Sequence, residues 1–472
     1  MIEVSSVSLT FTGDQHAELL EHLLPQDGKE AVALALCGRR SGARRHRLVV
    51  REVHVVPYDA CLHRSESAVI WQPDAIADLL EKAAEYGYSV IKIHSHPNGY
   101  ADFSPTDDEG DKELLPMIRG WVEADVFHGS AVMLPNGQMF GRYLDRDNTL
   151  HPIQLINVVG DDLLFWYADA GSVDVPDFAA SHAQAFDEGT IERLQRLSVA
   201  VIGCSGTGSP TIEQLVRLGV GEIVIVDDDQ LEKRNINRIL NSTIDDANNL
   251  RPKVEIMAEA VEQIGLGTRV IALKKNLWTP DVVREVAQCD IVIGCMDTID
   301  GRYLLNLLAT HYNQGYFDVG VRLIADDSNS TDAGVSEVCG TVHYLQPGKS
   351  SLLSRGLFNM HDVAAAGLRR NDPDAHARQA EDGYISGIGG SRPAVISVNM
   401  FASSLAVNEL LARIHPYREE PNSEHASVAF SFASMELISD PEEGQCKQIG
   451  GHIGAGDTNP LLSQMELAEK RS

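Results

Sequence analysis

A chain of 472 residues is too long for one ordinary core, and its formal net charge of −29 argues against nucleic acid as the main partner, because phosphate backbones are gripped by Lys and Arg. The hydrophobic share of 43% is that of a globular protein, and no run approaches the roughly 20 apolar residues that a membrane span needs. Seven cysteines without any C-x-x-C fit a reduced, cytoplasmic protein better than a disulfide scaffold or a cysteine zinc site.

The opening MIEVSSVSLTF has no basic stretch ahead of an apolar one, so no signal peptide is expected. EVSSVSLTF alternates as a strand, and DQHAELLEHLL is a short amphipathic helix. EAVALALCG is an apolar strand with Glu30 at its very start. RHRLVVREVHVVP and SAVIWQP are further strands, and PDAIADLLEKAAEYG is a helix with a clear apolar face.

IKIHSHPNGYADFSPTDDEGDKELL is the most specific stretch. Ile91 and Ile93 belong to a buried strand, so His94 and His96 at its end share one face, because strand side chains repeat with period two. Ser104 is the expected N-cap of the next helix, with Asp107 in its first turn. Two imidazoles and one carboxylate, with a fourth position open to water, are the ligand set of a catalytic zinc site. Together with Glu30, these residues resemble the JAMM (MPN-plus, JAB or Mov34-type) metalloprotease motif over about Val4 to Gly160. The resemblance implies His94, His96 and Asp107 as zinc ligands, Glu30 as general base on zinc-bound water, and Ser104 as donor to the tetrahedral oxyanion. It also implies cleavage after the C-terminal glycine of ubiquitin-like proteins, at isopeptide bonds or precursor tails.

From about Ala168 to Gly189 the chain is rich in Ala, Asp, Gly and Ser and is read as a linker passing into the helix TIERLQRL. Val199 to Ile202 form a short apolar strand, followed at once by GCSGTG: Gly203, Gly206 and Gly208, with Ser205 between the first two. A helix then starts near Pro210, and EIVIVDDD delivers Asp227 and Asp229 to the end of the next strand. This is a nucleotide-binding βαβ unit, in which glycines let backbone N–H groups approach phosphate at a helix N-terminus. An ordinary dinucleotide site would have no use for Asn235, Asn237 and Arg238 packed directly behind the acids. A triphosphate would, and so would Lys253, which opens another helix. DIVIGCMDTIDGR is expected to be a strand ending at Asp297, placed to hold magnesium, with Arg302 five residues on.

From roughly Gln184 to Leu411 these motifs resemble the adenylation domain of the ThiF/MoeB and ubiquitin-activating superfamily. The resemblance implies that Gly203, Ser205, Gly206 and Gly208 line the phosphate loop and that Asp227 and Asp229 hold the ribose. It implies that Asn235, Arg238 and Lys253 contact the phosphates of ATP and that Asp297 binds magnesium. Such enzymes adenylate the C-terminal carboxylate of a ubiquitin-like protein and release pyrophosphate. The arginine that many relatives place before the first strand has no clear counterpart, so completion of the site by a second subunit is not expected from the residues, although a homodimer is expected from the resemblance.

NLLATHYNQ is read as a helix, and YFDVGVRLIAD and CGTVHYLQPG as strands. The polar stretch 356–390 is read as an irregular crossover loop, and it contains no cysteine. Cys339 and Cys446 are the remaining thiols to weigh; Cys339 is set as acyl acceptor against a plain packing role. Cys204, Cys289 and Cys295 lie in buried elements, where cysteine behaves as a small hydrophobe.

The expected fold class is α/β: a JAMM-type α+β domain over 1–165, a linker over 166–189, and a Rossmann-like doubly wound adenylation domain over 190–472. The expected function is zinc-dependent processing or removal of a ubiquitin-like protein with a C-terminal glycine, and magnesium-ATP-dependent adenylation of that tail for transfer to a thiol, with a conjugating-type enzyme as further partner. The rivals are activation of a sulfur carrier to a thiocarboxylate and a non-catalytic scaffold that binds the tail.

Overall fold

The computed structural model describes residues 6–171, 175–325, 335–381 and 394–468. The chain divides into two compact units. The first comprises Met1–Val173, Thr310–Asn313 and His452–Ser463, and the second Asp174–Ala309, Gln314–Gly451 and Gln464–Ser472.

The first unit contains, in order, β1 (Val7–Thr12), α1 (Gly13–Leu23), β2 (Val32–Ser41), β3 (His46–Val55), β4 (Cys61–Arg64), β5 (Val69–Trp71), α2 (Ala77–Tyr86), β6 (Ser89–Ser95) and α3 (Pro105–Val122). It continues with β7 (His128–Met133), β8 (Met139–Leu144), β9 (Leu150–Pro152), β10 (Leu155–Val159) and β11 (Leu163–Tyr167). Nine strands make one sheet in the order β11-β10-β1-β3-β2-β6-β7-β8-β9, while β4 and β5 pair separately as a hairpin. The strand expected to alternate at the amino terminus, β1, is buried at every position because the sheet is covered on both faces. Period-two geometry sorts each strand between two cores. Ala33, Ala35, Ile91 and Ile93 pack with Leu19 and Leu23 of α1. Leu34, Leu36 and Val90 pack with Leu79 of α2 and Leu115 and Ile118 of α3. Lys92 and His94 therefore project to the α3 side of β6.

The second unit contains α4 (Ala180–Phe186), α5 (Glu188–Arg196), β12 (Ser198–Ile202), α6 (Gly208–Arg217), β13 (Glu222–Val226), α7 (Ile244–Asn248), α8 (Lys253–Ile264), β14 (Arg269–Leu273), α9 (Pro280–Val286) and β15 (Ile291–Gly294). After these come α10 (Ile299–His311), β16 (Gly315–Ala325), β17 (Val335–Leu345), α11 (Met360–Asn371), α12 (Pro373–Glu381), α13 (Ile396–Ile414), β18 (Ser427–Ser431) and β19 (Glu436–Asp440). The sheet order is β14-β13-β12-β15-β16-β17-β18-β19. It is parallel from β14 to β16 and antiparallel beyond. The chain leaves β12 for β13 on one side and later returns as β15 on the other, so the strand order reverses at β12. A crevice for a ligand opens at such a switch point, beyond the carboxyl ends of the strands.

Three expectations are corrected. The linker stretch carries the helix α4. The stretch read as an irregular crossover loop is helical through α11 and α12, with 356–359 a turn ahead of them; 382–390 lies outside the described residues. Asn359 starts α11 with a capping box to Asp362. Finally, β15 ends at Gly294, three residues short of Asp297, which is exposed in the loop beyond. Among the described residues no helix is long and apolar enough to cross a membrane.

Candidate functional site

His94 lies within β6 and His96 just past its end, where the His96 N–H still donates to the Met133 carbonyl across the sheet at 3.0 Å. α3 begins with Ser104 as N-cap, whose hydroxyl accepts from the Asp107 N–H at 3.2 Å while the Asp107 carboxylate accepts from the Ser104 N–H at 2.7 Å. That reciprocal cap fixes the first turn and aims Asp107 at the histidines. His94 Nε2 is 2.8 Å from Asp107 Oδ1, His96 Nε2 is 3.4 Å from Asp107 Oδ2, and the two Nε2 atoms are 3.2 Å apart.

These atoms fit a metal. His96 Nδ1 lies 2.7 Å from the Tyr100 carbonyl and donates to it, so in the neutral ring Nε2 presents a lone pair, and it presents it to another ring nitrogen. Ligands about 2.0–2.2 Å from a tetrahedral zinc lie about 3.3–3.6 Å from one another; the His96–Asp107 and His94–His96 separations are close to that, and the His94–Asp107 one is shorter. Burial pushes the His94 pKa down to about 4, keeping the ring neutral as a ligand must be. Burial also lowers His96, but Asp107 and the Tyr100 carbonyl outweigh it and the net shift is upward. Burial would raise the Asp107 carboxyl; hydrogen bonds from His94, His96 and Ser104 overcome that and hold it well below the usual carboxylate range.

Glu30 comes to this cluster through the sheet register. β2 and β6 are antiparallel with Val32 opposite His94, and the Ser95 N–H donates to the Ala31 carbonyl at 3.2 Å, so one further step sets Glu30 opposite His96. Glu30 is buried, and that burial, with the Asp107 charge adding to it, pushes its pKa up to about 7. Its backbone is clamped by the hairpin: the Glu30 N–H donates to the Ser65 carbonyl at 2.7 Å, and Arg64 Nε donates to the Glu30 carbonyl at 2.9 Å. Ser104, expected to serve an oxyanion, donates its hydroxyl to Asp107 at 2.7 Å.

One helical turn past Asp107, Asp111 faces Lys92, which lies two residues before His94. Lys92 Nζ is 2.5 Å from Asp111 Oδ1, and Arg142 donates to Asp111 Oδ2 through Nε at 2.9 Å and Nη2 at 2.7 Å. This buried network pins α3 against β6. Spacing had not pointed to Lys92, Asp111, Arg142 or Arg64, although Asp111 at i+4 from Asp107 is a readable signal.

In the second unit the carboxyl ends of β12, β13 and β15 are in register, with Ile202 beside Val226 and Gly294. Gly203 follows β12 with φ +97, and a side chain there would run into the Cys295 carbonyl. The Cys204 N–H donates to Asp227 Oδ2 at 2.7 Å and the Asp229 N–H to Asp227 Oδ1 at 2.9 Å. Both Asp227 oxygens are thus spent on fixing the glycine turn to the end of β13, and burial raises its pKa while Lys253 works against the rise. Asp229 is the exposed acid, and it pairs with Lys253 Nζ at 2.6 Å. Arg238 lies beside Gly206. Asn235 is buried in its own short turn, accepting from the Glu232 N–H at 3.2 Å. Ser205 is half-buried in the glycine turn, Gly208 opens α6, and Asp297 leaves the same edge of the sheet. Arg302 is not available to a phosphate, because it forms a two-pronged ion pair with buried Asp318, which also accepts from the Tyr316 hydroxyl at 2.7 Å.

The ThiF family profile matches residues 179–447, more than half of the chain. The chain belongs to the ThiF family. A second profile, prokaryotic homologs of the JAB domain, matches residues 13–143, which contain Glu30, His94, His96, Ser104 and Asp107. An amino-terminal JAB domain is therefore joined to the ThiF half. The chain is similar to the ubiquitin-like modifier-activating enzyme 5 of Aedes aegypti, 26% identical over 172 residues that make up 34% of this chain and 40% of that protein. It is also similar to the SAMP-activating enzyme E1 of Haloferax volcanii, 36% identical over 114 residues, 24% of this chain and 42% of that protein. It spans less than half the length of these curated relatives. Among solved structures it is similar to E. coli MccB with ATP, at 17% identity and a TM-score of 0.42, over 59% of this chain and 74% of that one.

Of the thiols in the ThiF half, Cys204, Cys289, Cys295 and Cys446 are buried and Cys339 is half-buried. Cys339 lies within β17, opposite Arg322 of β16 and Ser431 of β18, and burial raises its pKa, with Glu337 adding to the rise. Cys446 is buried, and burial pushes Cys295 up to about 12. A reactive thiol needs the opposite surroundings, partly exposed and electropositive.

Proposed function

We propose that the chain is a bifunctional enzyme acting on the C-terminal glycine tail of a ubiquitin-like protein: the ThiF half adenylates the tail with ATP, and the JAB half cuts after the same glycine in precursors or conjugates. The observation that carries this reading is a glycine turn at the switch point of the ThiF sheet, with exposed Asp229, buried Lys253 and half-buried Arg238 beside it.

In the ThiF half, Gly203, Ser205, Gly206 and Gly208 present backbone to the phosphates, Asp229 is placed for the ribose, and Arg238 and Lys253 supply positive charge as the carboxylate attacks the α-phosphorus and pyrophosphate leaves. Asp227 takes the role of fixing the turn, and Asn235 supports the segment that carries Arg238. Asp297 would hold magnesium, which supplies charge neutralisation at the phosphates. In the JAB half, His94, His96 and Asp107 would hold zinc, which supplies Lewis acidity. Glu30, buried and poised near neutrality, takes the proton of the attacking water and delivers it to the leaving amine. Ser104 orients Asp107 and can turn its hydroxyl to the substrate carbonyl.

The acceptor thiol belongs to a conjugating-type partner, and a homodimer is the proposed assembly. A second reading, activation of a sulfur carrier to a thiocarboxylate, is favoured by one observation, that the sequence 356–390 contains no cysteine. Exchange of labelled pyrophosphate into ATP, with a panel of glycine-terminated ubiquitin-like proteins, tests the adenylation. Exchange that requires the free glycine carboxylate is expected; exchange with none of them, or without any protein substrate, refutes it. Sulfide-dependent thiocarboxylate formation would select the second reading.

A further inference from the structure

The glycine turn has a neighbour from a distant part of the chain. α13 runs beside α6, where Ser403 Oγ is 2.6 Å from Thr211 Oγ1 and accepts from Gln214 Nε2 at 3.2 Å. Asn399 lies one helical turn before Ser403, and side chains on a helix lean towards its N-terminus. The carboxamide of Asn399 accordingly reaches Gly206: a Cβ built on that glycine would lie 2.2 Å from Asn399 Nδ2 and 3.3 Å from Arg238 Cδ. A side chain at residue 206 would have to displace the Asn399 carboxamide from the glycine turn.

Asn399 is 5% exposed, and its carboxamide has no hydrogen-bond partner among the described residues. The small part of Asn399 that stays accessible leaves its carboxamide open to a ligand at the glycine turn, and a polar group so placed is satisfied by whatever binds there. The surroundings favour an anion. α6, of 10 residues, and α13, of 19 residues, run in the same direction here and bring their N-termini together, and neither N-cap, Thr207 or Val395, closes its helix with a side-chain hydrogen bond. Two uncapped N-termini add partial positive charge at the spot where Arg238 also arrives.

We infer that Asn399 is a substrate-binding residue of the ThiF half, donating its carboxamide N–H to a phosphate oxygen of the nucleotide held at the glycine turn. The inference rests on the proposed nucleotide reading. It adds a contact from the helix that follows the crossover segment, so the phosphate site is built from both ends of the domain's sequence.

The test is calorimetric titration of the full-length chain with magnesium α,β-methylene-ATP, comparing wild type, Asn399→Ala and the isosteric Asn399→Asp, with thermal melting of each. A hydrogen bond to a charged group corresponds to about tenfold to a hundredfold in Kd. Asn399→Ala should weaken binding by that factor, and Asn399→Asp should weaken it further, because a carboxylate repels phosphate. If Asn399→Ala fails to fold, the isosteric aspartate decides. Wild-type affinity in Asn399→Asp would overturn the inference and assign Asn399 to packing alone. Absence of binding by the wild type would instead overturn the nucleotide reading, and the inference with it.

Discussion

Asp111→Asn should loosen the JAB half without touching any of its proposed metal ligands. Asp111 is fully buried, with Lys92 Nζ at 2.5 Å and Arg142 Nη2 at 2.7 Å. Removing its charge leaves Lys92 buried with its countercharge gone, and Arg142 with only Asp108, whose side chain is 47% exposed. Breaking a buried ion pair costs about 3–5 kcal/mol. At ~2–4 °C per kcal/mol for a unit of this size, the melting transition of the first unit should fall by roughly 6–20 °C. Asp107 shares the face of α3 with Asp111, and His94 shares the face of β6 with Lys92, so the same change should weaken zinc retention by about tenfold to a hundredfold. Differential scanning calorimetry and a competitive zinc titration read the two effects. Asp108→Asn is the control, with a loss below about 1 kcal/mol expected for an exposed pair. An Asp111→Asn protein that melts and holds zinc like the wild type would refute the argument that this network positions the site.

Glu30→Gln should lower cleavage of a ubiquitin-like precursor by about 10²–10⁴ while leaving bound zinc unchanged, measured by rate and by elemental analysis; loss of zinc instead would make Glu30 a ligand. Cys339→Ser should leave pyrophosphate exchange intact and abolish no thiol-sensitive adduct on a non-reducing gel; disappearance of such an adduct would make Cys339 the acyl acceptor after all. His128 is buried, with Nδ1 accepting the Val90 N–H at 3.1 Å, and burial lowers its pKa to about 4 from the 6.5 of a free histidine. The unfolded chain therefore binds the extra proton first, so this contribution to stability is whole above pH about 6.5 and is lost as pH falls towards about 4. Urea unfolding at pH 7 and pH 5 should show a shallower pH dependence in His128→Gln; an unchanged slope would exclude His128 as a source.

What was legible in the sequence was local. β6, β12 and β13 are short apolar runs ended by histidines, glycines or acids, and the N-cap at Ser104 is a four-residue pattern, so each announces itself within one window. The approach of Glu30 to His96 depends on the β2–β6 register, which spacing alone does not contain; the motif resemblance supplied it. The Lys92–Asp111 pair, the Arg64 clamp and the reach of Asn399 to Gly206 each join segments through tertiary packing, and so they were missed. Two misreadings had readable causes. The stretch after Gly356 reads as irregular because it is polar, although Asn359 and Asp362 stand at capping-box spacing ahead of α11. The apolar run continues through Cys295 and Met296 and so points to a strand ending at Asp297, whereas pairing stops at Gly294, beside Asp318 of β16.

The central claim is that both halves act on one glycine tail. It is tested most directly by pyrophosphate exchange with a ubiquitin-like protein supplied in two forms, one ending at its glycine and one extended by a few residues, using wild type and Glu30→Gln with zinc and magnesium-ATP. The account predicts exchange by both proteins with the mature form, and with the extended form by the wild type only. Equal exchange by Glu30→Gln with the extended form, or none with the mature form by either protein, would contradict it.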